Sequence, residues 1–140
     1  MARVFLISLI SLLAVSCAPS RANRIHATDE AKTIATGTWG GEHVRMEVTK
    51  TGAEIEFDCA HGQTTEPIAL DKRGNFDAPG TFTPEHGGPI LRDEAPPSNP
   101  ARYSGHLDGD SMNLTVTREK ESLGSFTLTR GSQGTLMKCR

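Results

Sequence analysis

Residues 36–62 read TGTWGGEHVRMEVTKTGAEIEFDCAHG, and this stretch decides the fold. Val44, Met46 and Val48 alternate with His43, Arg45, Glu47 and Thr49. A period of two marks a strand with one buried face. Lys50-Thr51-Gly52 breaks the pattern, and the glycine supplies the positive φ of a tight hairpin. Ala53, Ile55, Phe57, Cys59 and His61 then share one face, while Glu54, Glu56 and Asp58 share the face that must meet water. Trp39, the sole tryptophan, has the parity of His43, which would turn it outward. Gly40-Gly41 between them predicts a bulge that resets the register and brings the indole inside.

Strand signals recur toward the carboxy terminus, each closed by a turn. Residues 66–70 read as a short strand ended by Asp71-Lys72-Arg73-Gly74-Asn75. Phe76, Ala78, Gly80 and Phe82 share a face. Pro79 points the other way and has no amide donor, which predicts an edge or a bulge there. Tyr103, Gly105 and Leu107 alternate with Arg102, Ser104 and His106, and Asp108-Gly109-Asp110-Ser111 turns the chain. Met112, Leu114 and Val116 face in, as do Phe126 and Leu128 beyond a charged connection. Residues 131–134 are a turn, and residues 135–139 a last short strand or tail. Seven or eight strands with no long helical pattern predict an all-β domain over residues 36–140. A small antiparallel up-and-down β-barrel is expected, because closure removes exposed edges, with a β-sandwich as the alternative.

The amino-terminal end carries different information. Arg3 precedes residues 4–15, apolar apart from Ser8 and Ser11 and too short to span a bilayer. Residues 1–16 therefore read as a signal peptide rather than a buried helix. Leu13-Ala14-Val15-Ser16-Cys17 resembles a bacterial lipobox, with Ala14 where leucine is usual. That resemblance implies lipidation of Cys17 by fatty acyl chains such as palmitate. Cleavage by an ordinary signal peptidase after Ser16 is the alternative. Residues 17–35 read as the lipidated tether, with a short helical turn at residues 28–34 as a rival reading.

Three cysteines, Cys17, Cys59 and Cys139, leave one over if two pair, and lipidation accounts for it. Export implies an oxidising compartment, so a Cys59–Cys139 disulfide is expected. It would close a loop of roughly 80 residues, for which the chain-entropy relation gives about 4.5 kcal/mol. Cys59 and His61 as metal ligands are the rival reading, but two ligands are too few for zinc, and no metal or other cofactor is expected.

Residues 84–100 hold five prolines and cannot be read as strand. Long loops on rigid scaffolds often carry binding groups. His86, Gly87, Gly88, Pro89, Arg92, Asp93 and Glu94 are accordingly the candidate binding loop. The alternative is a packed crossover with Ile90 and Leu91 tucked under. No catalytic motif is present, and His26, His43, His61, His86 and His106 are scattered. His61 and His86, each beside a glycine, are the pair that an enzyme would need to bring together. With Arg3 removed alongside the signal, 14 basic residues face 17 acidic ones. No basic stripe accompanies them, which argues against nucleic acid as a partner.

Two resemblances follow from these motifs. The Gly37-Thr38-Trp39 opening of the first strand resembles that of calycin barrels, the lipocalin and avidin-like group. There a tryptophan packs against a basic residue of the last major strand, which implies a Trp39–Arg130 barrel plug here. The tryptophan-rich pocket of avidins is missing. Residues 36–140 also resemble a family of uncharacterised bacterial exported proteins. The likeness runs through Gly37-Thr38-Trp39-Gly40-Gly41, Phe57-Asp58-Cys59-Ala60-His61-Gly62, Glu85-His86-Gly87-Gly88-Pro89, Ala101-Arg102-Tyr103-Ser104-Gly105 and Phe126-Thr127-Leu128-Thr129-Arg130-Gly131, and it transfers no activity.

The expectation is a non-enzymatic protein of the bacterial cell envelope, anchored to the membrane by lipid and facing the periplasm. A secreted or soluble periplasmic form is the alternative. It would bind an envelope protein through its long loop and one barrel mouth. A protease-inhibitor version, with residues 19–35 as inserting arm, rests on analogy. A calycin-type carrier of a small apolar ligand is the second reading, and it needs an empty interior.

Overall fold

The computed structural model describes residues 31–88 and 97–139. Within them the chain is all β. Eight strands run β1 (Gly37–Gly41), β2 (Val44–Val48), β3 (Ala53–Phe57), β4 (Ala60–Thr64), β5 (Asn75–Pro84), β6 (Asn99–Asp108), β7 (Ser111–Arg118) and β8 (Glu121–Arg130). Each pairs antiparallel with the next, and β1 pairs with β8, so the sheet is a closed up-and-down barrel. The expected barrel is found, and the sandwich is not.

Residues 36–62 hold four strands where the alternation suggested two. β1 and β2 pair without a bulge, Trp39 opposite Met46 and Gly41 opposite Val44. The parity problem is solved by a two-residue turn at Glu42-His43, with His43 at φ 65°. Trp39 is inside as expected, at 1% exposure. The long alternation after Gly52 is likewise two strands. The chain turns at Asp58-Cys59, so Ala60 and Gly62 face in while Cys59 and His61 face out. Their expected place beside Ile55 and Phe57 is corrected by that turn.

Two further differences lie at the end where the chain enters the barrel. Residues 66–70 are not a barrel strand, although Ile68 is buried. They pair instead with residues placed in the tether: Thr33 bridges Ala69, and the Ile34 N–H donates to the Ile68 carbonyl (3.0 Å). Ile34 is 3% exposed, so the packed domain begins before residue 36. The Trp39 indole N–H donates to the Ala35 carbonyl (3.1 Å), fixing this segment across the barrel bottom. Pro79 also finds a place without an edge or a bulge of its own. Its carbonyl accepts from Thr65, just past the last residue of β4, so its missing donor falls where the neighbouring strand has ended.

Inward residues of all eight strands fill the barrel. Met46, Ile55, Tyr103, Met112, Leu114 and Leu128 are each at most 1% exposed. Tyr103 is accommodated because two neighbours are glycine: a Cβ at Gly62 would overlap its hydroxyl, and one at Gly80 would press on its ring. The hydroxyl donates to the Thr81 carbonyl (2.6 Å), and burial pushes the phenol's pKa well up. The barrel is thus closed below by Ile34, Trp39 and Ile68 and packed through its middle.

Candidate functional site

The upper end of the barrel is built differently. Four connections meet there: the turns at Glu42-His43, Asp58-Cys59 and Glu119-Lys120, and the β5–β6 loop. The strands beneath them end in Phe57, Phe82, Leu123 and Phe126 rather than in crossing chain. The Phe57 ring centroid lies 5.6 Å from that of Phe82 and 5.2 Å from that of Phe126. Phe82, Leu123 and Phe126 are only half-buried. With Ala60 and Val116 they line an apolar bowl of about 240 Å³, with His43, Asp58 and Cys59 at its lip. Leu123 reaches the bowl through a break in pairing: Val116 stands opposite Gly124 and Thr117 opposite Ser122, leaving Leu123 unpaired.

Larger hollows have mixed linings, among them one of about 700 Å³ at the lower end, where Ala35, Trp39, Leu70 and Leu107 stand beside Lys32, Asp71 and Arg130. Another of about 810 Å³ beside β6 and the β7–β8 turn holds Arg102 and Arg118. Their guanidinium groups are already paired, with Asp77 (2.8 Å) and Glu121 (3.1 Å). The bowl is the smallest of these hollows and the most nearly apolar in its lining.

The carboxy-terminal tail holds the bowl's lip. After β8 it crosses the outer face of β1 at Gly40, where a Cβ would collide with the backbone of Gly134. Thr135 donates to the Gly41 carbonyl (2.9 Å) and accepts from the His43 N–H (2.8 Å). The Met137 N–H donates to Asp58 Oδ1 (2.8 Å), and Lys138 Nζ donates to the Phe57 carbonyl (3.0 Å) and lies 3.6 Å from Glu85. The Cys59–Cys139 disulfide, its Cα atoms 5.3 Å apart, completes the strap. Nine residues thereby tie together two turns and the base of the long loop.

Charge at the lip is largely paired. His43 Nδ1 lies 2.6 Å from Asp58, and His61 Nδ1 2.7 Å from Glu85. The Met137 N–H, followed by His43, holds the Asp58 carboxyl below the ordinary carboxylate range. Hydrogen bonding from His61, then the charge of Lys138, does the same for Glu85.

The expected site residues distribute as follows. His86, Gly87 and Gly88 sit at this end and are exposed. Pro89, Arg92, Asp93 and Glu94 lie outside the described residues, as does Cys17. His61 is turned outward and engaged by Glu85 rather than facing the bowl. Trp39 and Arg130 stand opposite each other on β1 and β8, as the calycin likeness implies. Only the indole is buried; the guanidinium is half exposed and reaches toward Asp110 (3.8 Å). Ile34 and Ile68 close the barrel beside Trp39 instead. Sequence alone does not show the bowl, because Phe57, Phe82 and the Leu123–Phe126 segment lie far apart in sequence and belong to one end only once the strand register is known.

Searched against protein-family models, curated proteins and solved structures, the chain matches none.

Proposed function

We infer that this protein is a non-enzymatic binding module of the bacterial cell envelope, held to the membrane through a lipidated Cys17. Its working face is the strapped, apolar end of the barrel, and its partner is another envelope protein. The observation that carries this reading is the contrast within one barrel. The middle is filled and the lower end crossed by chain, while Phe82, Leu123 and Phe126 are left half covered above the buried Phe57 at the upper end. Exposed, convergent apolar surface on a small domain marks an interaction site. A filled interior favours the protein-binding reading over the carrier, which needs depth for its ligand. The polar groups at the lip support it too, since each is engaged in holding turns and tail together.

The test is capture from an envelope extract by the full protein, compared with a Phe126→Ser variant whose melting is checked in parallel. A partner retained by the wild type and lost with Phe126→Ser supports the reading. Equal capture by both, or none by either, overturns it. The anchor is tested separately by fatty-acid labelling: label on the wild type and none on Cys17→Ser is expected, and an unlabelled wild type removes the anchor from the proposal.

A further inference from the structure

The flank of the barrel that leads up to the bowl is acidic in a way the fold does not need. β3 carries Glu54 and Glu56 on its outer face, and Asp58 follows in the turn at the bowl's lip. Glu56 is neutralised by Arg45 (2.8 Å). Glu54 stands directly opposite Glu47 on β2, and among the described residues no cation lies within ion-pair distance of either. Like charges directly opposite on paired strands are destabilising. Glu42 extends the same flank, its side chain 84% exposed and 3.4 Å from His43. Among the described residues, the full cations that ion-pair with the carboxylates Glu42, Glu47, Glu54, Glu56, Asp58 and Glu85 are Arg45 and Lys138.

The bowl sets the size of what it takes. Its volume of about 240 Å³ lies below the usual range for drug-sized ligands and above the roughly 150 Å³ that suffices for a benzene ring. The packed interior beneath it, with Met112 at 0% and Leu114 at 1% exposure, stops anything longer. The tail adds Met137 at the lip, 64% exposed and bonded through its N–H to Asp58. Methionine is enriched in interfaces.

We propose that the bowl is an anchor socket for one ring-sized apolar side chain of a partner polypeptide, and that basic residues next to that anchor lie down the Glu54–Asp58 flank. This rests on the protein-binding reading above and specifies the partner's chemistry. At about 3.3 Å per residue, four extended residues beyond the anchor span the distance from the lip to Glu54. The Glu47–Glu54 repulsion is relieved when cations arrive, so the same pair that weakens the free barrel favours the complex.

The probe is an acetylated, amidated peptide of one phenylalanine followed by four lysines, titrated into the full protein with its phenylalanine and leucine side chains observed by NMR. Shifts centred on Phe57, Phe82, Leu123 and Phe126 are expected. Replacing the peptide's phenylalanine by alanine should weaken binding at least tenfold, and replacing its lysines by glutamates should do the same. A double variant, Glu47→Gln with Glu54→Gln, should melt no lower than the wild type and bind the lysine peptide several-fold more weakly. No shift at the bowl, indifference to the phenylalanine, or unchanged binding by the double variant would each overturn the proposal. The general reading fails separately. If capture of an envelope partner depends on Phe126 but is unaffected by the Gln substitutions, the basic-anchor proposal falls and the binding module stands.

Discussion

The two ends of this barrel solve the same problem in opposite ways. At the lower end the chain closes the barrel with its own apolar residues. Ile34 and Ile68 cross the opening, joined by a backbone hydrogen bond of 3.0 Å, and the Trp39 indole is satisfied by Ala35. At the upper end no segment among the described residues crosses the opening. The turns are instead drawn together around the rim by a tail, an ion-paired lysine and a disulfide. One end is stabilised by burial and the other by a covalent and polar strap. A strap constrains a mouth without filling it, so the apolar groups inside stay accessible.

Substitutions should separate the two ends. Trp39→Ala removes the largest fully buried side chain and should cost about 3–5 kcal/mol, measured by urea unfolding. Phe126→Ala, at the half-open end, should cost clearly less; an equal cost would break the distinction. Replacing Cys59 and Cys139 together by alanine should cost about 2–5 kcal/mol. Loss of amide protection in that variant should be concentrated in residues 131–139 and the turns they bind, with Ile34 little changed. Gly62→Ala forces a methyl against the Tyr103 hydroxyl and should cost about 1–3 kcal/mol. The smallest effect is on acidification. Asp58 and Glu85 have folded pKa values below their ordinary ones, so their contribution is fully present above the unfolded pKa, near 4, and is lost as the pH falls through the folded values. The Met137 amide should therefore lose exchange protection below about pH 4. Asp71, lowered mainly by the Asn75 side chain, will loosen its own turn in the same range. The Ile34 amide, bonded to a carbonyl, should not respond.

The barrel was legible because alternation survives wherever a strand has one wet face. Met112, Leu114 and Val116 were read as inward, and they are buried. Alternation does not show where a strand stops if the turn preserves a plausible pattern. Asp58-Cys59 sat inside an unbroken apolar–acidic alternation, so the β3–β4 hairpin read as one strand and Cys59 was placed inside. The Cys59–Cys139 bridge was nevertheless expected correctly, since counting and compartment do not depend on which face a cysteine occupies. At the site, the strand count shows at which end of the barrel the β5–β6 connection leaves and returns. The bowl was not legible, because four residues from β3, β5 and β8 converge only through the register. The plug was half legible: a tryptophan announces a buried anchor, but Ile34 lies in a segment whose composition resembles a linker.

The pairing of β1 with β8 has a consequence for how the molecule is made. Trp39 meets Arg130, and Cys59 meets Cys139 across 80 residues, so the first and last parts of the domain complete each other. Contacts of such high order are slow to form, and barrels dominated by them fold in milliseconds to seconds rather than microseconds. The strand that closes the sheet and the tail that straps it are the last parts of the barrel to be synthesised. Until they arrive β1 has an unpaired edge, so the sheet stays open for as long as the chain is being made. Closure of the sheet and pairing of Cys59 with Cys139 then fall together at the end.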